Sequence, residues 1–143
     1  MEHCITQGKT VPPDLIRPFR DSTDQIGNRG ELPRRLHEDG YLFLRGALDQ
    51  NEVLAARAEV FARLAAVGEI EEPSAEGIFS GKSQRREMAE DLGAFWKSVC
   101  EGPALRQVTH GPRLCGLMGD IFGESARPHD YIFLRPSPVG RAT

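Results

Sequence analysis

Several things are scarce in this sequence. It has no apolar run near the roughly 18 residues that a membrane-spanning helix needs. Its amino terminus, Met-Glu-His-Cys-Ile-Thr-Gln-Gly-Lys, lacks the apolar core of a secretory signal. The expectation is a cytoplasmic protein without a membrane partner. Its three cysteines, Cys4, Cys100 and Cys115, are too few and too far apart for a disulfide framework or a zinc knuckle. Buried or idle thiols are expected instead. Positive charge is not in surplus either: 18 Lys and Arg are scattered among 21 Asp and Glu, a net of -3. That leaves no basic field for nucleic acid, and a mixed-charge solvated surface is the simpler reading. Internal repeats and low-complexity tracts are also absent.

What remains suits one compact domain: 143 residues, 39% of them hydrophobic and 27% charged. Residues 1–30 are polar, carry Pro12, Pro13 and Pro18, show no sustained period, and read as a loose arm. Leu32 to Asp39 reads as a short helix that Gly40 can end in the left-handed conformation. Tyr41-Leu42-Phe43-Leu44, bounded by Gly40 and Gly46, is too short for a helix and reads as a buried strand. Asp49 can cap the clearest helix, with Glu52 at the reciprocal capping-box position and Val53, Arg57, Val60, Phe61 and Leu64 at helical spacing up to Gly68. A charged connection over residues 69–87 holds one apolar island, Ile78-Phe79.

A second helix is expected from near Glu87 or Asp91 to Cys100, with Leu92, Phe95, Trp96 and Val99 on one face, which suits core packing better than a ligand platform. Pro103 and Pro112 each open a further helix. The later one carries Leu114, Leu117, Met118, Ile121 and Phe122, and Gly123 ends it. Tyr131 to Arg135 reads as a strand that runs into a loop over Pro136 to Gly140. The fold class is therefore α+β, helix-rich with two strands. Two short strands are marginal without covering layers. The last would present an apolar edge of the kind proteins normally cover. A segment of a larger domain is expected.

Three stretches carry a family likeness. One is Leu36-His-Glu-Asp-Gly-Tyr-Leu-Phe-Leu-Arg-Gly-Ala-Leu48 followed by the capped helix. Another runs from Gly102-Pro-Ala-Leu-Arg106 to Phe122-Gly123. The third runs from Asp130-Tyr-Ile-Phe-Leu-Arg-Pro136 to Gly140-Arg-Ala-Thr143. In this order and spacing the chain resembles the front part of the phytanoyl-CoA dioxygenase-like family of non-haem Fe(II)/2-oxoglutarate-dependent dioxygenases. The resemblance implies two parts: an arm over residues 1–30, and over residues 31–143 a helical layer with the first strands of a truncated double-stranded β-helix, a jelly-roll or cupin-like barrel. It implies Fe(II) and 2-oxoglutarate as cofactors of the full-length family and a small-molecule substrate once a catalytic half is supplied. In the family a His-x-Asp follows the last strand, with a second His and an Arg much later. Fe(II) needs two imidazoles and a carboxylate with open positions left for the keto acid and dioxygen. This chain reaches Thr143 before those residues. It is expected to be inactive by itself and to bind neither cofactor tightly. A standalone helical binding module is the alternative.

Candidate chemistry within the chain is thin. His37 and Asp39 spell His-x-Asp, but at a helix end rather than on a strand. His129 and Asp130 are adjacent and on a strand would point to opposite faces. His110 sits at a turn before a helix and His3 in the arm, so no metal ligands and no catalytic residues are assigned. Gly81-Lys82-Ser83 lacks the upstream glycine of a phosphate loop, and Arg85-Arg86-Glu87 reads as a solvated helix start. By the resemblance, Lys82 and Tyr131 are the candidate contacts to 2-oxoglutarate. Tyr131, Phe133 and Arg135 would then share the cavity face, with Ile132 and Leu134 packed against the helices.

Overall fold

The computed structural model describes residues 4–135; it divides into two compact units that meet in sequence at Arg45 and Gly46. The chain is α+β in the coarse sense, mostly helical with one small antiparallel sheet. Among the described residues no helix is long and apolar enough to cross a membrane.

The first unit opens with a hairpin, β1 (Ile5–Thr6) against β2 (Lys9–Thr10). Gln7 and Gly8 at its tip both have positive φ, the hand of turn that matches strand twist. Short 3-10 turns follow at Pro13–Leu15 and Thr23–Gln25, so the segment read as an arm carries local structure. Helix α1 (Glu31–Asp39) starts where Asn28 Oδ1 accepts the amides of Gly30 (3.3 Å) and Glu31 (3.1 Å). It ends, as expected, at Gly40 with φ 74°. The expected strand over Tyr41–Leu44 shrinks to one bridge: Phe43 pairs in parallel with Asp21, and the Ser22 amide donates to the Phe43 carbonyl at 2.9 Å. The other backbone groups there have different partners, such as the Thr23 hydroxyl that accepts the Arg45 amide at 2.7 Å. Leu32, at 0% exposure, and Ser22 form the dry centre of this unit. Around it Phe19 packs on Tyr41 and Phe43, with ring centroids 5.0 and 5.6 Å away.

Glu31 is the hub of the unit's charges. Its carboxylate meets Arg34 and Arg35, three and four residues further along its own helix, and Arg20 at 4.0 Å. Hydrogen bonds from Arg34 and then Arg35 lower its pKa from 4.5 to about 2. A carboxylate held below its unfolded value stabilises the fold above about pH 4.5, and that contribution disappears as the pH falls toward 2. Thermal melts between neutral pH and pH 2.5 should therefore show a steeper acid loss for the wild type than for Glu31→Gln. Parallel pH profiles would contradict this role.

In the second unit, helix α2 (Gln50–Ala65) is capped by Asp49, whose Oδ1 accepts Asn51 N at 2.9 Å and Glu52 N at 3.1 Å. Glu52 does not close the reciprocal capping box; its carboxylate accepts instead from Gln107 Nε2 at 3.1 Å. Along α2, Ala56 and Leu64 are buried and Phe61 half-buried, whereas Val53 remains 39% exposed. The 69–87 connection is more ordered than its charge suggests: Ile70 bridges Phe79 antiparallel, which gives the Ile78-Phe79 island a partner. The expected second helix is two, α3 (Arg85–Met88) and α4 (Leu92–Cys100), and Asp91 caps the latter through Gly93 N at 2.7 Å. Helices α5 (Pro103–His110) and α6 (Pro112–Phe122) start at proline, and Gly123 ends α6 with φ 74°. Val99, 1% exposed, Cys100, Ile121, Leu64 and Val67 are among the buried core side chains of this unit.

One contact sets how α2 and α5 meet. Gly102, the residue before α5, has no side chain to cap the helix. Glu59 of α2 supplies the cap: its carboxylate accepts Ala104 N at 2.9 Å and Leu105 N at 3.3 Å. A Cβ at Gly102 would fall on that carboxylate, so the glycine is required by space rather than by backbone angle. Removing a side-chain cap costs about 1 kcal/mol. Urea melts should show Glu59→Ala destabilised by about that amount, and Gly102→Ala by at least as much, because it evicts the same cap. A neutral Gly102→Ala would refute the arrangement.

Residues 131–135 do not form the expected strand ladder. They carry no regular secondary structure, with Ile132 and Leu134 half-buried and Tyr131, Phe133 and Arg135 exposed, and no strand pairs with them among the described residues. The loop expected over Pro136 to Gly140 lies outside the described residues. The barrel is not seen: β1–β2 is the sheet among the described residues.

Candidate functional site

A large concavity, about 810 Å³, lies in the second unit between one face of α4 and residues 130–135. Helix α4 contributes Trp96, Lys97 and Cys100, because residues at i, i+1 and i+4 share a face. Tyr131 to Arg135 form the opposite wall, and Arg85 and Arg106 reach it from α3 and α5. Tyr131 and Phe133, at 70% and 74% exposure, are the most exposed aromatic side chains of this unit. A second, smaller hollow of about 410 Å³ is lined by Leu114, Met118 and Phe122 of α6 and by His110, His129 and Ile132.

Arg85 is held on two sides. Its Nε donates to Ser83 Oγ at 3.1 Å, and Glu69 Oε1 lies against the same nitrogen as an ion pair. Glu69 is 3% exposed, and its Oε1 accepts no hydrogen bond, so the ion pair alone compensates its burial. The guanidinium plane sits over the Trp96 ring, 4.8 Å from the centroid, a cation–π stack.

A polar tie fixes the start of the 130–135 wall. Arg106 Nη2 donates to the Asp130 carbonyl at 2.8 Å, and its Nη1 meets His110 Nε2 at 2.6 Å. A guanidinium can only donate, so His110 Nε2 is the acceptor and the ring proton sits on Nδ1. That proton goes to Thr109 Oγ1 at 2.8 Å, whose own hydrogen goes to the Leu105 carbonyl at 3.0 Å. With this tautomer the 3.1 Å approach of His110 Nε2 to the His129 carbonyl is lone pair against lone pair. The segment is thus held chiefly by Arg106, helped by His129 Nδ1 accepting the Tyr131 amide at 3.2 Å.

The candidates read from the sequence fall in different places. Tyr131 lines both hollows. Lys82 is exposed and is not among the residues lining the large cleft; its backbone engages the Ser80 hydroxyl. His37 is exposed in the last turn of α1, while Asp39 receives Arg20 Nη1 at 3.2 Å. His129 and Asp130 lie on no strand, Asp130 being in a bend, and His3 lies outside the described residues. The Fe(II) implied by the family likeness does not fit these side chains: among the described residues no three of His, Cys, Asp and Glu converge on one point. Arg85, Glu69, Arg106 and His110 went unassigned in the sequence. Only position 110 carried a signal, a histidine at a helix end; the others depend on contacts between distant residues.

No family model, curated protein or solved structure matches the chain.

Without Arg106, residues 129–132 lose the guanidinium tie between α5 and the Asp130 carbonyl. Arg106→Leu should leave the helical far-ultraviolet signal intact. It should also make the chain cleave faster with chymotrypsin at Tyr131 and Phe133. Unchanged cleavage would mean that packing of Ile132 and Leu134 is sufficient.

Proposed function

We propose that this chain is the amino-terminal portion of a phytanoyl-CoA dioxygenase-like oxygenase that hydroxylates a small-molecule substrate in the cytoplasm. The observation that carries the reading is the strict alternation over residues 131–135. Ile132 and Leu134 are half-buried, Tyr131, Phe133 and Arg135 are exposed, and no strand is paired with them among the described residues. Alternation with period two is what a sheet strand needs, and aromatic side chains left on the open face suit a strand awaiting further strands. The order of the Asp39-Gly-Tyr passage, the capped α2, and the α5–α6 pair agrees with the same family.

In this reading the barrel is built by strands beyond residues 131–135, and Fe(II) with 2-oxoglutarate supplies the oxidising power for C–H hydroxylation. The part played by this chain's own residues is support and binding. Helices α2, α5 and α6 hold the wall, Arg106 fixes its start, and Tyr131 with Lys82 from the connection are the residues assigned to the keto acid. Tyr131 lines the large cleft. Lys82 needs a movement of its exposed loop to contribute.

The alternative, a standalone binding module, is favoured by one observation: the second unit ties its helices together by side-chain bonds of its own. These are the Glu59 cap, Gln107 to Glu52, and Arg113 Nε to the Ala47 carbonyl at 2.7 Å.

Sequencing the genomic DNA past the Thr143 codon in all three frames separates the two. The oxygenase reading expects His-x-Asp within a few codons and a later His and Arg. It also expects no succinate from 2-oxoglutarate with the purified 143-residue chain. Downstream DNA that encodes none of these residues would defeat it. A cooperative, monomeric melt of the chain would then support the module.

A further inference from the structure

We infer that the large cleft is a binding site for an amphipathic organic carboxylate, with Arg85 gripping the carboxylate and the apolar body lying along Trp96 and Phe133. This stands apart from the oxygenase reading, since it concerns equilibrium binding to the chain as it is.

Arg85 is fixed before any ligand arrives. A flexible surface arginine loses much side-chain entropy on gripping a ligand. Here that ordering is already in place. Glu69 and Ser83 hold the Nε edge, and the indole of Trp96 holds one face. The contacts with Ser83 and Glu69 run through Nε rather than the terminal nitrogens, and Arg85 is one of the residues lining the cleft. A guanidinium fixed on one edge and one face presents its remaining fork to a planar two-oxygen acceptor, and the bidentate match to a carboxylate is the strongest such pairing.

Charge and shape define the rest of the ligand. The cleft's ionic lining is Arg85, Lys97, Arg106 and Arg135 against Glu101 and Asp130. Lys97 is engaged with Glu101 at 3.9 Å and Arg106 with the Asp130 carbonyl. With Glu69 behind Arg85 counted, four cations stand against three carboxylates, which favours one negative charge on the ligand. Beyond Arg85 the walls are Trp96, Phe133 and Leu134, which offer flat apolar surface and few polar partners. A ligand with a second charge or a hydroxylated body would lose water there without recompense. About 810 Å³ is within the range of sites for drug-sized molecules.

Trp96 is the only tryptophan in the chain, so its fluorescence reports on the cleft directly. The probe is 3-phenylpropionate, titrated in parallel with 3-phenylpropan-1-ol, 2-oxoglutarate and inorganic phosphate. The site predicts a saturable change with 3-phenylpropionate, with the alcohol binding at least about tenfold more weakly, because it cannot accept a charge-assisted pair. The Arg85 side-chain N–H resonances of the wild type should move in the same titration, a readout that needs no variant. Arg85→Lys keeps a cation beside Glu69 but loses the fork and the stack, and should weaken 3-phenylpropionate by about tenfold. Equal binding of acid and alcohol, tighter binding of 2-oxoglutarate or phosphate, no saturable signal, or an Arg85→Lys variant with undiminished affinity would each overturn the proposal. Failure here leaves the genomic test of the oxygenase reading untouched, and the reverse also holds.

Discussion

The Glu59 carboxylate at the amino-terminal end of α5 is the contact on which the second unit's arrangement rests. A helix start leaves backbone amides without partners, and α5 begins with Gly102-Pro103, which can provide no side-chain cap of its own. The cap therefore comes from α2, 45 residues earlier in sequence for the Ala104 amide. This does two things at once. It satisfies the amides, and it fixes the axial position of α5 along α2. Everything that α5 then carries inherits that position: Gln107 reaching back to Glu52, and Arg106 reaching forward to the Asp130 carbonyl. Gly102 is buried and leaves the carboxylate its space.

From that constraint the cleft follows. Arg106, placed by α5, ties down the Asp130 carbonyl, and residues 131–135 run on from there as the wall opposite α4. The other side is set independently by Glu69, which leaves the connection after α2 and pins Arg85 over Trp96. The cost of burying Glu69 is tolerable because a guanidinium accompanies it, and removing either partner would strand a charge. A rigid cationic edge and a row of exposed aromatic side chains thus face one hollow. The physical character of the site, ordered charge beside dry flat surface, comes from these two anchors rather than from any motif.

Local signals in the sequence were informative about helix ends. Asp49, Asp91, Pro103 and Pro112 mark starts, and Gly40 and Gly123 mark stops, because capping is decided within a turn of the chain. The alternation at residues 131–135 was legible too, although the ladder it suggests needs a partner strand. The hairpin at residues 5–10 went unread because its turn is Gln7-Gly8 rather than Asn-Gly. Glu52 fits a capping box on paper, but in space a better partner, Gln107, stands across from it. Arg85 resembled a solvated helix start, and only its contacts with Glu69 and Trp96, 16 residues before and 11 after it, show otherwise. Capping is local information; ion pairs and stacks across the fold are not.

The functional account turns on one claim, that residues 131–135 are a sheet strand whose partners lie outside the described residues. Amide hydrogen exchange at Ile132, Phe133 and Leu134 tests it most directly. It should be measured on the 143-residue chain and on a longer polypeptide carrying the sequence encoded after Thr143. The account expects fast exchange at these amides in the chain and strong protection in the longer polypeptide, as ladder hydrogen bonds form. Equally fast exchange in both would contradict it.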